Sequence, residues 1–391
     1  MRLGVVLLLA SGCGRIGFDA AYGDVYLVST VQDRLAGPMT AASIEDLNPG
    51  LTDLSLREAL TIASNSAAPM RIQFDPRVFP PGGSATITLG SPLPAIAGNG
   101  ITIDARATGV TLDGTFEPLI EIGGSNNGIQ GVGFAGTGTR VHINARFSAV
   151  GHCRFAGGGI AIDMEGSAVQ ADANVIVGGS VTGIRMTNLT NGSALYNEID
   201  GVAGEAITVS SSSDISVYDN NIVLGDKTAD RGISLDTVSS AKIIDNIIDP
   251  GSARLIDLYD SPDAIIVGNI LDRGDVGVVL EGASTNAYVF RNVVISPTNE
   301  PMYIAATATG ARVINNTLYM AGGIATNATD TAEVNTLQAD TGFVAPETYD
   351  FRLVAGNPAI DQGMDVGQDM LDRNTKRFLG AAPDLGAVES W

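Results

Sequence analysis

The chain has 391 residues, a formal net charge of -21 at pH 7, 48 glycines, 17% charged and 5% aromatic residues, two histidines and two cysteines. That acidity excludes nucleic acid and anionic membrane surfaces as partners, because both demand clustered Lys and Arg, and two cysteines exclude a disulfide framework. A chain this long ordinarily divides into several domains, unless its fold grows in one dimension only.

In chain order, residues 1–12 and Cys13 read MRLGVVLLLASGC, with one positive charge, an apolar run from Leu3 to Ala10, and small residues before the cysteine. The run is too short to span a bilayer and reads as a secretory signal. Ala10-Ser11-Gly12-Cys13 resembles a bacterial lipobox, with Ala10 where Leu or Val is more usual. The resemblance implies that Cys13 is lipidated, that the membrane is met only through this anchor, and that residues 13–24 are a tether. Gly14, in place of an Asp that would resemble an inner-membrane retention signal, points to the outer membrane or cell surface. An ordinary secreted signal and a chance apolar start are the alternatives.

Residues 25–96 read as an N-terminal cap with the strands that lead into the repeats. Ser55-Leu-Arg-Glu58 is a capping box: the Ser oxygen accepts from the backbone N–H three residues on, and the Glu reaches back. Leu56, Ala59, Leu60 and Ala63 then share one face, which predicts a short capping helix over an open apolar end. Leu54-Ser-Leu-Arg-Glu-Ala59, Arg71-Ile-Gln-Phe74, Ala85-Thr-Ile-Thr-Leu89 and Ser91-Pro-Leu-Pro-Ala-Ile96 resemble the N-terminal region of right-handed parallel β-helix proteins of the pectin-lyase-like superfamily. A Cys commonly stands in that group where this chain has Leu54, so no cap disulfide is expected. Ile101-Thr-Ile103 and Val110-Thr-Leu-Asp113 resemble its first complete coil.

Residues 97–335 carry the repeat. Asn, any residue, then an aliphatic recurs at Asn174, Asn197, Asn220, Asn246, Asn269, Asn292 and Asn316, in steps of 23, 23, 26, 23, 23 and 24 residues. A fixed period of this size means a solenoid. About 11 residues after most of these Asn comes an apolar-x-apolar triplet such as Ile184-Arg-Met186, Ile207-Thr-Val209 or Val278-Val-Leu280. Apolar positions that are β-branched or Leu, in short runs broken by Gly, Asp, Asn and Ser, are strands and turns and not helices. The expected fold is all-β: a right-handed parallel β-helix of about ten coils, roughly 45–50 Å long at the spacing of paired strands. The recurring Asn are read as a stacked structural ladder, tolerating the left-handed backbone of a tight bend, and not as ligands.

Residues 336–391 resemble a choice-of-anchor Q domain, through Asp350-Phe-Arg-Leu353, Asn357-Pro-Ala-Ile-Asp361-Gln-Gly363, Arg377 and Asp384-Leu-Gly-Ala-Val-Glu389. Asn357 stands where Ser is usual and Val388 where an aromatic is usual. The resemblance implies a surface protein whose anchor is supplied at Cys13.

Chemistry is sparse. His142 and His152 fall in early coils and read as structural, and Cys153, 21 residues before Asn174 in the ladder column, reads as a buried inert thiol. No Cys/His metal spacing, phosphate-cradling loop or nucleophile elbow is present, so neither metal nor cofactor is expected. Strand alternation turns the middle residue of each triplet outward. One file then stacks Arg185, Thr208, Ser234, Asp257, Val279 and Tyr303, and the next Thr187, Ser210, Asp236, Tyr259, Glu281 and Ala305. Asp236, Asp257 and Glu281, with Arg231 and Arg254 expected at the preceding turns, are the catalytic candidates, and Tyr259 and Tyr303 the candidate ligand platform. Two readings stay open: a monomeric envelope-anchored module, structural or passively binding a polysaccharide or another surface component, and a polysaccharide lyase or glycoside hydrolase acting on an acidic polysaccharide, where calcium could serve.

Overall fold

The 23-residue period becomes one coil made of three short parallel strands, each paired with the equivalent strands of the coils before and after. The computed structural model describes residues 24–47, 52–224, 231–249, 254–328, 330–334, 336–365 and 382–385. The signal, Cys13, nearly all of the tether, Arg377 and residues 386–389 lie outside the described residues. Three long parallel sheets result, here called A, B and C, of 13, 12 and 10 strands. Sheet A begins with Asp24–Val28, sheet B with Ala85–Thr88 and sheet C with Ile120–Ile122. A typical coil runs through Gln170–Asp172 in sheet A, Val175–Val177 in sheet B and Thr182–Thr190 in sheet C. The whole is a right-handed parallel β-helix of about eleven turns.

Alternation dictates the core. In a three-residue strand of sheet A or B the middle side chain points in, as with Ala194, Val217, Ile243 and Ile266, and all of these are fully or nearly fully buried. In sheet C the two apolar residues of each triplet point in and the middle one out. Helix α1, Leu56–Asn65, follows the capping box: Glu58 N–H donates to Ser55 Oγ at 3.1 Å and Ser55 N–H donates to Glu58 Oε2 at 2.8 Å. Its apolar face joins the main core and packs against the first two strands of sheet A, closing the N-terminal end.

The Asn ladder stands at the bend between sheets A and B. Each Asn Oδ1 accepts two bonds from the preceding Asn, one from its backbone N–H and one from its Nδ2, as from Asn220 to Asn246 at 3.0 and 2.9 Å. Each Nδ2 also donates to a backbone carbonyl of the preceding coil, from Asn246 to Val217 at 3.0 Å. Cys153 heads the column, its N–H donating to Asn174 Oδ1 at 3.1 Å. One detail differs from expectation: the left-handed residue is the one before the ladder Asn. Ala173, Tyr196, Asp219, Asp245, Gly268, Arg291 and Asn315 all have φ between 51° and 71°. The turn places that residue outside and swings the Asn amide inward. Their side chains stack in turn, so Asp219 and Asp245 meet on adjacent coils; burial and then the Asp219 charge push the Asp245 carboxyl up to about 6.

Strands Ala332–Val334 and Leu337–Ala339 belong to the last coil, which carries the solenoid to residue 339. The chain then folds back. An antiparallel hairpin of Phe343–Ala345 and Asp350–Leu353 lies on the outer face of sheet B. Phe343, Phe351 and Leu353 pack on Ile270, Val293 and Ile295, with Tyr319, Phe343 and Phe351 edge to face at centroid separations of 5.4–5.6 Å. Tyr349 donates to Asp272 Oδ2 at 2.9 Å, and Asn315 exchanges two 2.9 Å bonds with the backbone of Met364.

Replacing a ladder amide removes the acceptor of two buried donors. Asn246→Ala or Asn269→Ala is therefore expected to cost about 2–4 kcal/mol, while Thr307→Ala at an exposed position costs under about 0.5 kcal/mol. Equal chemical-denaturation midpoints for the three variants would contradict the buried ladder.

Candidate functional site

The outer face of sheet C brings the expected residues together. Strands Arg231–Ser239, Arg254–Tyr259, Val276–Glu281 and Met302–Ile304 pair in register, which aligns Ser234, Asp257, Val279 and Tyr303 in one file and Asp236, Tyr259 and Glu281 in the next. Charges turn outward here because their neighbours turn in: Ile256 and Leu258, on either side of Asp257, are fully buried.

Two expectations are corrected. Arg231 and Arg254 are not in the preceding turns; they open their strands, in register with each other on the same face. Asp257 points outward yet is not solvent-exposed. Its side chain is 5% accessible, because Arg231 Nε lies 2.6 Å from Oδ2 and Arg254 Nη1 3.4 Å from Oδ1, and these two long side chains close over it. Arg231 also reaches Glu205 at 2.9 Å, and Arg254 reaches Glu281 at 3.1 Å. The result is one chain of charges, Glu205, Arg231, Asp257, Arg254 and Glu281, spanning four coils. Burial pushes the Asp257 carboxyl above the usual carboxylate range, with Arg254 and then Arg231 pulling the other way.

Asp236 stays exposed and accepts a 2.9 Å bond from the Thr237 hydroxyl. Tyr259, between Asp236 and Glu281, is 51% accessible. Tyr303, two coils on from Tyr259, is half-buried, its hydroxyl 3.4 Å from Asn327 Nδ2. Acid–base work on a glycosidic bond needs two carboxyl groups facing a shared space. Here Asp257 is covered and Glu281 is held by Arg254, so the strip suits contact with a polar polymer better than proton transfer to one.

The same files extend upstream, where sequence reasoning stopped at Arg185. One coil earlier stands Asp163, gripped by Arg185 through two bonds of 2.8 and 2.6 Å, and before it His142 and Glu121 in register. Counting 22 residues back from Arg185 would have found the pair. The two histidines lie on different parts of the coil: His142 is half-buried on a strand of sheet C, and His152 is exposed in the left-handed turn between sheets A and B. Cys153 is buried, its thiol donating to the Gly151 carbonyl at 3.3 Å and pushed up to about 12 by burial.

A family model described as "Periplasmic copper-binding protein (NosD)" matches residues 94–296 and 214–342. The sequence has no match among curated proteins. Among solved structures, pectate lyase Pel9A is similar at 12% identity and a TM-score of 0.56, over 95% of this chain and 98% of that one. The Dettilon tailspike protein is similar at 14% identity and 0.52, over 80% and 72%. The Streptococcus pneumoniae surface protein and adhesin PfbA is similar at 11% identity and 0.51, over 76% and 98%. At these identities the likeness is one of fold.

Copper takes imidazole, thiolate and thioether ligands. Those groups are dispersed here. His142 lies on sheet C and His152 at the bend between sheets A and B, the Cys153 thiol is sealed, and Met164 and Met186 face each other across adjacent coils inside the core. Among the described residues no three His, Cys, Asp or Glu converge on a possible metal position. The described residues do not fit a copper centre.

If Asp257 is the pin between two guanidinium groups, Asp257→Ala should destabilise the fold by about 1–2 kcal/mol, because Arg231 and Arg254 lose their shared acceptor while staying partly solvated and keeping Glu205 and Glu281. Asp236→Ala on the neighbouring coil should change stability by less than about 0.5 kcal/mol. Equal unfolding free energies for the two variants would show that Asp257 is an ordinary surface carboxylate.

Proposed function

This chain belongs to the NosD family, and we propose that it is an exported, envelope-anchored β-helix that uses the outer face of sheet C to hold a polysaccharide or another surface component without cleaving it. The observation that carries this reading is the arginine pairing: Arg185, Arg231 and Arg254 each grip a carboxylate on that face. A lyase acting on an acidic polymer needs a cation or a free basic group to neutralise the sugar acid as it loses its proton. The strip has committed these three guanidinium groups to its own carboxylates. What it offers a ligand is the exposed Tyr259 ring, the Tyr303 edge and a row of carboxylate, Thr and Ser oxygens for hydroxyl groups. Sheet B is covered by the C-terminal hairpin over the same coils, which favours sheet C as the working face. The family's periplasmic description supports export, and no cofactor enters the proposal.

The test is a polysaccharide panel, acidic and neutral, with and without calcium, read for binding, unsaturated product and reducing ends. Wild type should bind without releasing either product, and Asp236→Ala/Tyr259→Ala/Glu281→Ala, still folded by circular dichroism, should bind at least about tenfold more weakly. Unsaturated ends that appear with wild type and vanish in that variant would establish a lyase instead.

The anchor is proposed at Cys13, with the outer membrane or cell surface as destination and a monomer as the working unit. Cys13→Ala, or globomycin treatment, should move the protein from the membrane fraction to the soluble one. Unchanged partitioning would defeat the lipid anchor while leaving the binding face untouched.

A further inference from the structure

A second face carries converging polar groups. On the outer side of sheet A, the first residues of successive strands align Ile265, Tyr288 and Arg312 in one file. The turns arriving from sheet C place Asp263, Asn286 and Asp330 beside it, and the space between is a shallow groove of about 550 Å3. That size lies within the range of small-ligand sites.

Arg312 sets this groove apart. Its guanidinium carbon stands 5.2 Å from the centre of the Tyr288 ring, and the side chain is exposed. On sheet C, by contrast, Arg185, Arg231 and Arg254 are each paired with a carboxylate. Among the described residues no carboxylate lies within ion-pair distance of Arg312. Asp263 and Asp330, although they share the groove, are turned to the turns themselves: Asp263 Oδ1 accepts from Asn286 Nδ2 at 3.2 Å, and Asp330 Oδ2 accepts from the Gly310 N–H at 2.9 Å. Each keeps a second oxygen for another donor.

On a protein of charge -21, a guanidinium held on an aromatic face with no acid of its own is suited to an acidic group arriving from outside. Its planar fork matches a carboxylate with two parallel hydrogen bonds. A bare anion would meet repulsion from Asp263 and Asp330. A ligand that brings hydroxyl groups along with its acid turns the same two residues into acceptors, with Asn286 between them. We propose that this groove binds an acidic sugar, its carboxylate on Arg312 and its hydroxyls on Asp263, Asn286 and Asp330. The proposal is independent of the sheet C reading, since the two faces share none of these residues.

The test is calorimetric titration in EDTA-containing buffer with trigalacturonate and sialyllactose as acidic probes, and maltotriose and lactose as neutral ones. At least one acidic probe should bind, and its neutral counterpart should bind about tenfold more weakly or worse. Arg312→Ala should lose about tenfold in affinity, Arg312→Lys should retain part of it, and Asp236→Ala/Tyr259→Ala/Glu281→Ala should bind as wild type does. Because Arg312 is exposed, an unchanged melting curve is expected for its variants and is the control for folding. The proposal fails if neither acidic probe binds, if a neutral probe binds as tightly as its acidic counterpart, or if folded Arg312→Ala binds like wild type. It also fails if the sheet C variant alone loses the binding, which would assign the acidic sugar to the other face.

Discussion

Everything in this molecule depends on how the bend between sheets A and B satisfies its backbone. A coil that turns sharply into a dry core leaves N–H and C=O groups that water cannot reach, and each unpaired one costs about 1–3 kcal/mol. The ladder Asn solves this with one side chain per coil. Its oxygen takes two donors from the coil before, and its amide returns a bond to a carbonyl there. That arrangement compels a left-handed residue just ahead of it, at roughly 1–2 kcal/mol for a residue with a β-carbon. Gly268 is the one position from Ala173 to Asn315 in this column that avoids the strain, and it does so where a β-carbon would fall 2.2 Å from the Asp245 carboxylate.

The ladder also fixes register, and register makes the surface. Once each Asn locks onto the next, the strand about 11 residues later can align in one way only, and a slip of one residue would exchange Ile256 and Leu258 for Asp257 in the core. The chain of charges on sheet C follows from that alignment. Arg231 reaches Asp257 from the preceding coil because it sits in register with Arg254, which itself reaches Asp257 from three residues away on the same strand. The period tolerates a step of 26 residues between Asn220 and Asn246, since the extra length is taken up away from the ladder and both its bonds remain at 2.9–3.0 Å.

The elements legible in the sequence are those that repeat. A period, an Asn in constant phase and alternating apolar residues are cooperative signals: every coil votes for the same fold, and the capping box of α1 is local enough to be read directly. The alignment of Asp236 with Tyr259 and Glu281 was legible for the same reason. What escaped reading depends on side-chain reach or on a single event. The covering of Asp257 results from two arginines converging from different coils, which spacing places but does not aim. The left-handed column carries Ala, Tyr, Asp, Asp, Gly, Arg and Asn, a set with no common chemistry, because the neighbouring amide and not the residue itself holds the turn. The folding back of Phe343, Phe351 and Leu353 onto sheet B happens once, so no repeat announces it.

That single event shapes how the three faces differ. On the outer side of sheet B, Ile270, Val293 and Ile295 would form an apolar strip if left uncovered, and contiguous strips of that kind invite association. The C-terminal hairpin occupies it with its own aromatics and anchors at Asp272 through Tyr349, while Met364 beyond it bonds Asn315. The remaining two faces keep polar files in the same register but treat Arg231, Arg254 and Arg312 differently. On sheet C, Arg185, Arg231 and Arg254 are spent on internal pairs, and the face presents oxygens and aromatic rings. Sheet A leaves Arg312 stacked on Tyr288 beside carboxylates already engaged with their turns. Electrostatic complementarity sets specificity more than affinity, so one scaffold with one register can present two chemically distinct surfaces by choosing, coil by coil, whether each arginine finds its acid within the fold or outside it.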